Sequence, residues 1–158
     1  MSRVSRAIAA TRTIPVAQSA VFGFLADLER HRLLDDCFVE VLALEESAED
    51  GRAIGGTVRM RGPLALERTA RTRLLERRPD SLLAGSAHVG PRTSARVTWT
   101  LASVAAGTTV RLETVVEQVG PLDALLLAIG GRRWLRRRFG AILQTLERRL
   151  AAAQSASA

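Results

Sequence analysis

The 158-residue chain contains no lysine, no tyrosine and no asparagine. It has one cysteine and two histidines, and aromatic residues make up 4% of it. A lone cysteine, Cys37, forbids an internal disulfide and fits a reducing compartment. At the edge of an apolar segment it reads as a small core residue. With so few histidines and cysteines, widely separated, no metal site is expected, and the sequence offers no cofactor motif. There is no glycine-rich phosphate loop and no Ser-His-Asp arrangement. Scarce aromatics argue against base stacking, so nucleic acid is not an expected partner. The longest apolar run, Ala124 to Ile129, is too short to span a bilayer. Near the start, Ala7 to Ala10 is too short for the apolar part of a secretory signal, so the stretch reads as a first strand and the protein as cytoplasmic.

What remains is ordinary for a globular domain: 47% hydrophobic and 25% charged residues. One domain over residues 1–153 is expected, with a disordered tail at 154–158. The net charge of +7 is carried wholly by arginine, a pattern of GC-rich codon usage rather than of guanidinium chemistry. From Gly120 onward seven arginines stand against Asp123 and Glu147. Arg132, Arg133, Arg136 and Arg137 form the densest group. Such a face is either the solvated back of an amphipathic helix or a surface for an anionic membrane, RNA or an acidic protein.

The stretch from Pro121 to Ala153 organises the rest. Leu122, Leu125, Leu126, Ile129, Leu135, Phe139, Ile142, Leu143, Leu146 and Leu150 recur mostly at steps of three or four, which predicts a long helix with one covered side. Gly130-Gly131 divides it and predicts a kink or break. Ahead of it, Val4 to Ile14 reads as a strand, Ala17 to Ala26 as a helix, and Leu28 to Leu34 as a further turn capped by Asp27. His31 sits in the polar run Glu29 to Arg32 and is expected to face solvent.

Strands follow at Val39 to Glu46, Thr57 to Arg61, Leu66 to Arg77, Ser81 to Val89, Ser94 to Ser103 and Thr108 to Val119. The last two alternate cleanly. Val97, Trp99 and Leu101 share one face, as do Val110, Leu112, Thr114 and Val116, with charge on the other.

This order of elements, with Ile14-Pro15-Val16, Ala20 to Glu29, the Val97-Thr98-Trp99 strand, the Gly107-Thr108-Thr109-Val110 turn and the long final helix, resembles the START-like helix-grip superfamily (SRPBCC). Within it, the polyketide cyclase/dehydrase-like members are the nearest in pattern. The resemblance covers nearly the whole chain and implies an α+β fold: a curved antiparallel sheet gripping the C-terminal helix, with a hydrophobic cavity between them. It also implies binding or transport of a small hydrophobic molecule such as a lipid, quinone or polyketide. Cyclisation or dehydration inside the cavity is the alternative. The ring-closing enzymes of the superfamily commonly use tyrosine, which this chain lacks. Fold alone does not choose between these.

The residues expected to meet a ligand are Met60, His88, Val97, Trp99, Thr114, Gln118, Leu126 and Ile129. Met60 suits an adaptable wall. Trp99 brings an indole N–H that needs a partner when buried. Thr114 and Gln118 share the inward parity of the last strand. On the parity of Leu82, Ala84 and Ser86, His88 is a weak catalytic candidate without a carboxylate partner at fixed spacing. A third function class, an interaction module built on the arginine-rich helix, stays open.

Overall fold

The structure is a computed structural model that describes residues 7–34, 39–62 and 66–157. The expectations for Cys37 and for Val4 to Arg6 lie outside the described residues. Strand β1 (Ala7–Ile14) leads into helix α1 (Gln18–Ala26) and a 3-10 turn, Leu28–Leu34. Then come β2 (Val39–Glu46), β3 (Ala53–Arg61), β4 (Glu67–Arg78), β5 (Leu82–Val89), β6 (Thr93–Val104) and β7 (Gly107–Gln118). The chain ends in α2 (Pro121–Leu126), a π-helical turn (Leu127–Gly131) and α3 (Arg132–Ala156).

The strands form one antiparallel sheet of seven, in the order β1-β7-β6-β5-β4-β3-β2. Each of β2 to β7 lies beside its neighbour in sequence, the least costly way to pair strands. Closing β1 onto β7 brings the first strand against the last, Ala7 opposite Val115 and Ile14 opposite Thr108. Register shifts at Val41/Ala43, Leu74/Glu76 and Ser94/Ala95 mark bulges, and bulges bend a sheet. Gly107 closes the last hairpin at φ +136, where its missing Cβ lets the backbone pass Ile14 and Pro15. Strand β2 ends the sheet on one side and carries Glu40, Glu45 and Glu46, all exposed.

One side of the sheet is packed solid. Ile8 and Ile14 of β1, Leu101 of β6, and Val110 and Leu112 of β7 are buried with Val21 and Leu25 of α1 and Leu143, Leu146 and Leu150 of α3. Arg12 on β1 ion-pairs with Glu147 on α3 across this side. Further along the sheet the inward residues shrink. Ala70, Thr72, Gly85, Ala87 and Ala95 stand where β1 and β7 carry isoleucine, valine and leucine. Several inward residues there, including Val58, Met60 and Leu74, are only partly buried. Small side chains facing the first half of α3 leave the space between them open.

The division expected at Gly130-Gly131 is present: the break falls at Ile129 (φ −89, ψ 15) and Gly130 (φ 122, ψ −1), where glycine accepts a backbone turn that L side chains resist. The end of the helix differs from the expectation of a disordered tail at 154–158, because α3 continues to Ala156.

Candidate functional site

A cavity of about 420 Å³ lies between the sheet and α3, within the range of small-molecule sites. Its walls come from the inner faces of β2 to β7, from the 3-10 turn, from Leu126 and Leu127, and from Trp134, Leu135, Phe139 and Ile142. Most of that surface is aliphatic or aromatic. Besides the hydroxyls of Thr72 and Thr114 on the sheet, polar groups gather in two places, one in the 3-10 turn and one beside α2.

The first is His31. A 3-10 turn repeats every three residues, so Leu28, His31 and Leu34 lie one above another, and all three line the cavity. The expectation that His31 faces solvent is therefore wrong. Its Nε2 lies 2.7 Å from the carbonyl oxygen of Leu25. A carbonyl only accepts, so Nε2 carries the proton and Nδ1 holds the lone pair. The bond also satisfies a carbonyl in the last turn of α1. The ring meets Trp99 edge-on, with centroids 6.4 Å apart and planes at 69°.

Desolvation pushes the His31 pKa below its ordinary value, while the Leu25 carbonyl and the charge on Asp27 oppose the shift more weakly. The neutral ring is thus the native form. The unfolded chain takes up this proton near pH ~6.5, and the folded chain does so only at lower pH. Stability is full above the unfolded value, is lost as pH drops toward the folded value, and levels off beneath it. Thermal melts between about pH 7 and pH 5 should show this decline, and His31→Gln should flatten it. Equal slopes in the two proteins would remove the assignment.

The second polar place joins α2 to the sheet. Arg68 on β4 holds Asp123 on α2 with a two-pronged contact, Nη1 to Oδ1 at 2.7 Å and Nη2 to Oδ2 at 3.0 Å. Thr93 at the start of β6 donates its hydroxyl to the same carboxylate and accepts the Gly120 N–H at 3.0 Å. Both charged side chains are mostly shielded from water, where a paired fork is stronger than at the surface. Gly120-Pro121 starts the helix and sets Asp123 within its first turn, facing the cations.

Of the expected contact residues, Met60, Val97, Trp99, Thr114 and Leu126 all line the cavity. Three do not. His88 is exposed on the outer face of β5, because the inward row is Leu83, Gly85, Ala87 and Val89. Gln118 keeps the inward parity of β7 but sits at its end, beyond the cavity, and is exposed. Ile129 faces outward on the same side as Leu122 and Leu125 and is exposed. Arg133, Arg136 and Arg137 are exposed on α3, Arg132 is partly buried, and Arg138 stacks on Trp134 at 5.4 Å. Among the described residues no cluster of histidine, cysteine and carboxylates is arranged to hold a metal. No helix among them is long and apolar enough to cross a membrane.

The sequence model of the family described as polyketide cyclase / dehydrase and lipid transport matches residues 5–151. The chain belongs to this family. Solved structures agree on the fold. A START superfamily protein from Mycobacterium smegmatis superimposes with a TM-score of 0.71 at 11% identity, covering 93% of this chain and 98% of that one. A protein from Thermus thermophilus gives 0.64 at 21% identity, with 93% and 98% covered. One from Arthrobacter aurescens gives 0.68 at 8% identity, with 94% and 87% covered. No curated protein sequence matches the chain. Membership supports a hydrophobic-ligand or cyclase-type role for the cavity. The helix-grip architecture is the one the order of elements implied.

Proposed function

We propose that this family member is a cytoplasmic carrier for one small, mostly apolar molecule bearing a hydrogen-bond donor. The observation that carries the reading is the cavity itself: apolar walls between sheet and α3, with His31 fixed among them as a neutral acceptor. Burying apolar ligand surface supplies the affinity. A hydroxyl meeting Nδ1 supplies orientation, since a polar ligand group without a partner in such a wall is penalised. The ligand classes that fit are a hydroxylated lipid, a reduced quinone or a phenolic polyketide.

A cyclase or dehydratase reading draws on the same imidazole, which in its neutral form is a competent proton acceptor. Its ring N–H is spent on a backbone carbonyl rather than on an orienting carboxylate. The Asp123 carboxylate is likewise held by Arg68 and Thr93. Both features favour holding a ligand over transforming it.

Mass spectrometry of the native protein should find a hydrophobic molecule bound. A matched pair of ligands tests the polar anchor. Trp99 and Trp134 both line the cavity, so naphthol and naphthalene can each be titrated against indole fluorescence. The hydroxyl should strengthen binding about tenfold, the worth of one net hydrogen bond, and His31→Phe should erase the difference. Equal affinities in the wild type would refute the anchor. Turnover of a copurifying polyketide, abolished in His31→Phe, would move the reading to the enzyme.

A further inference from the structure

Leu122, Leu125 and Ile129 are 53%, 57% and 68% exposed, the highest values among the described large hydrophobic residues. Single exposed leucines are ordinary, but three within eight residues on one short segment are not. Their spacing puts them on one side of α2 and the π-helical turn. The other side, through Asp123, Leu126 and Leu127, forms part of the cavity wall. The next turns of α3 present Arg133, Arg136 and Arg137, all exposed. From Ala124 to Leu146 the chain has no acidic residue, and Asp123 is already held by Arg68.

An apolar tip followed at once by a cationic collar is complementary to one partner in particular. A bilayer leaflet rich in anionic phospholipid has acyl chains for the leucines and headgroup charge for the guanidinium groups. A soluble acidic protein or a nucleic acid would satisfy the arginines and leave the leucines in water. We infer that the α2 tip and the first turns of α3 form a docking surface for an anionic membrane. Docking there brings against the lipid a segment whose other side, through Asp123, Leu126 and Leu127, lines the cavity. The inference goes beyond the carrier reading and does not need it, because vesicle binding is measured without cargo.

The test is flotation with phosphatidylcholine vesicles, with and without about 30 mol% phosphatidylserine. The wild type should bind the anionic vesicles at least about tenfold more tightly, and the gain should vanish as salt rises from ~0.05 to ~0.5 M. Replacing Arg133, Arg136 and Arg137 together by Gln should bring anionic binding down to the neutral-vesicle level. Replacing Leu122, Leu125 and Ile129 together by Ser should weaken binding to both vesicle types about tenfold while leaving thermal stability and naphthol binding unchanged. Equal binding to the two vesicle types overturns the inference, as does a Ser variant that floats like the wild type. So does a wild-type dimer that the Ser variant converts to monomer, since the patch then meets a second copy. Binding to RNA that needs the arginines and not the leucines also counts against it.

Discussion

Ala95→Trp should weaken binding of any cavity ligand by at least about 100-fold, equivalent to roughly 2.7 kcal/mol. Ala95 lies on the inner face of β6, between Ala87 on β5 and Val116 on β7, and all three line the cavity. An indole at this position takes up much of the 420 Å³ that a ligand would otherwise fill. The added side chain enters open space rather than a packed core, so the cost of overpacking, normally ~1–3 kcal/mol, is largely avoided. Stability should therefore hold or rise while affinity falls. The same change on the neighbouring strand, His88→Trp, points outward and should alter neither. Titration of both variants by isothermal calorimetry, with melting temperatures measured in parallel, separates the outcomes. If Ala95→Trp binds like the wild type, the ligand sits elsewhere.

The second large effect lies in the filled side of the protein. Leu146 on α3 is 0% exposed, in the core cluster with Ile8 and Ile14 of β1 and Val21 and Leu25 of α1. Truncation to alanine removes buried methyl groups and leaves a void the surroundings only partly close, which costs about 2–5 kcal/mol. For a chain of this size that is a drop in melting temperature of roughly 5–15 °C. Leu125→Ala, from a side chain 57% exposed, should stay within about 0.5 kcal/mol. Calorimetric melts of both variants give the comparison. A small loss at Leu146 would mean that α3 is not anchored by this half of its length.

The contrast between those two positions explains which parts were legible beforehand. Strand alternation is a strong signal where one face is filled and the other wet, so β6 and β7 could be read from Val97, Trp99, Leu112 and Thr114. In β5, Leu82 and Leu83 are adjacent and both apolar, and a one-residue slip reverses every side chain. The row Leu83, Gly85, Ala87, Val89 is apolar or small throughout, whereas the other row ends in Ser86 and His88. That uniformity was the available clue to the inner face. His31 was hidden by its charged neighbours. Helical spacing of 3.6 does not align Leu28, His31 and Leu34, but the three-residue repeat of a 3-10 turn does. Ile129 keeps the helical spacing of Leu122 and Leu125, and that side of α2 faces outward, which spacing alone does not reveal. The paired glycines signalled the break, but the course of α3 after it depends on Gly130 adopting φ 122, which sequence spacing does not carry. The clasp of Arg68, Thr93 and Asp123 joins residues 25 and 30 positions apart and follows from strand register together with the place where α2 starts.

Among the described residues the sheet ends at β2, and the border of a sheet is where proteins can stack into fibrils. Here that border bristles with carboxylates: Glu40 and Glu45 reach back to Arg59 and Arg71, and Glu46 stands beside a bulge. A second molecule approaching edge to edge would bring the same charged side chains with it. Charged side chains on such a border must give up water before another strand can dock, which guards against aggregation without adding to the core.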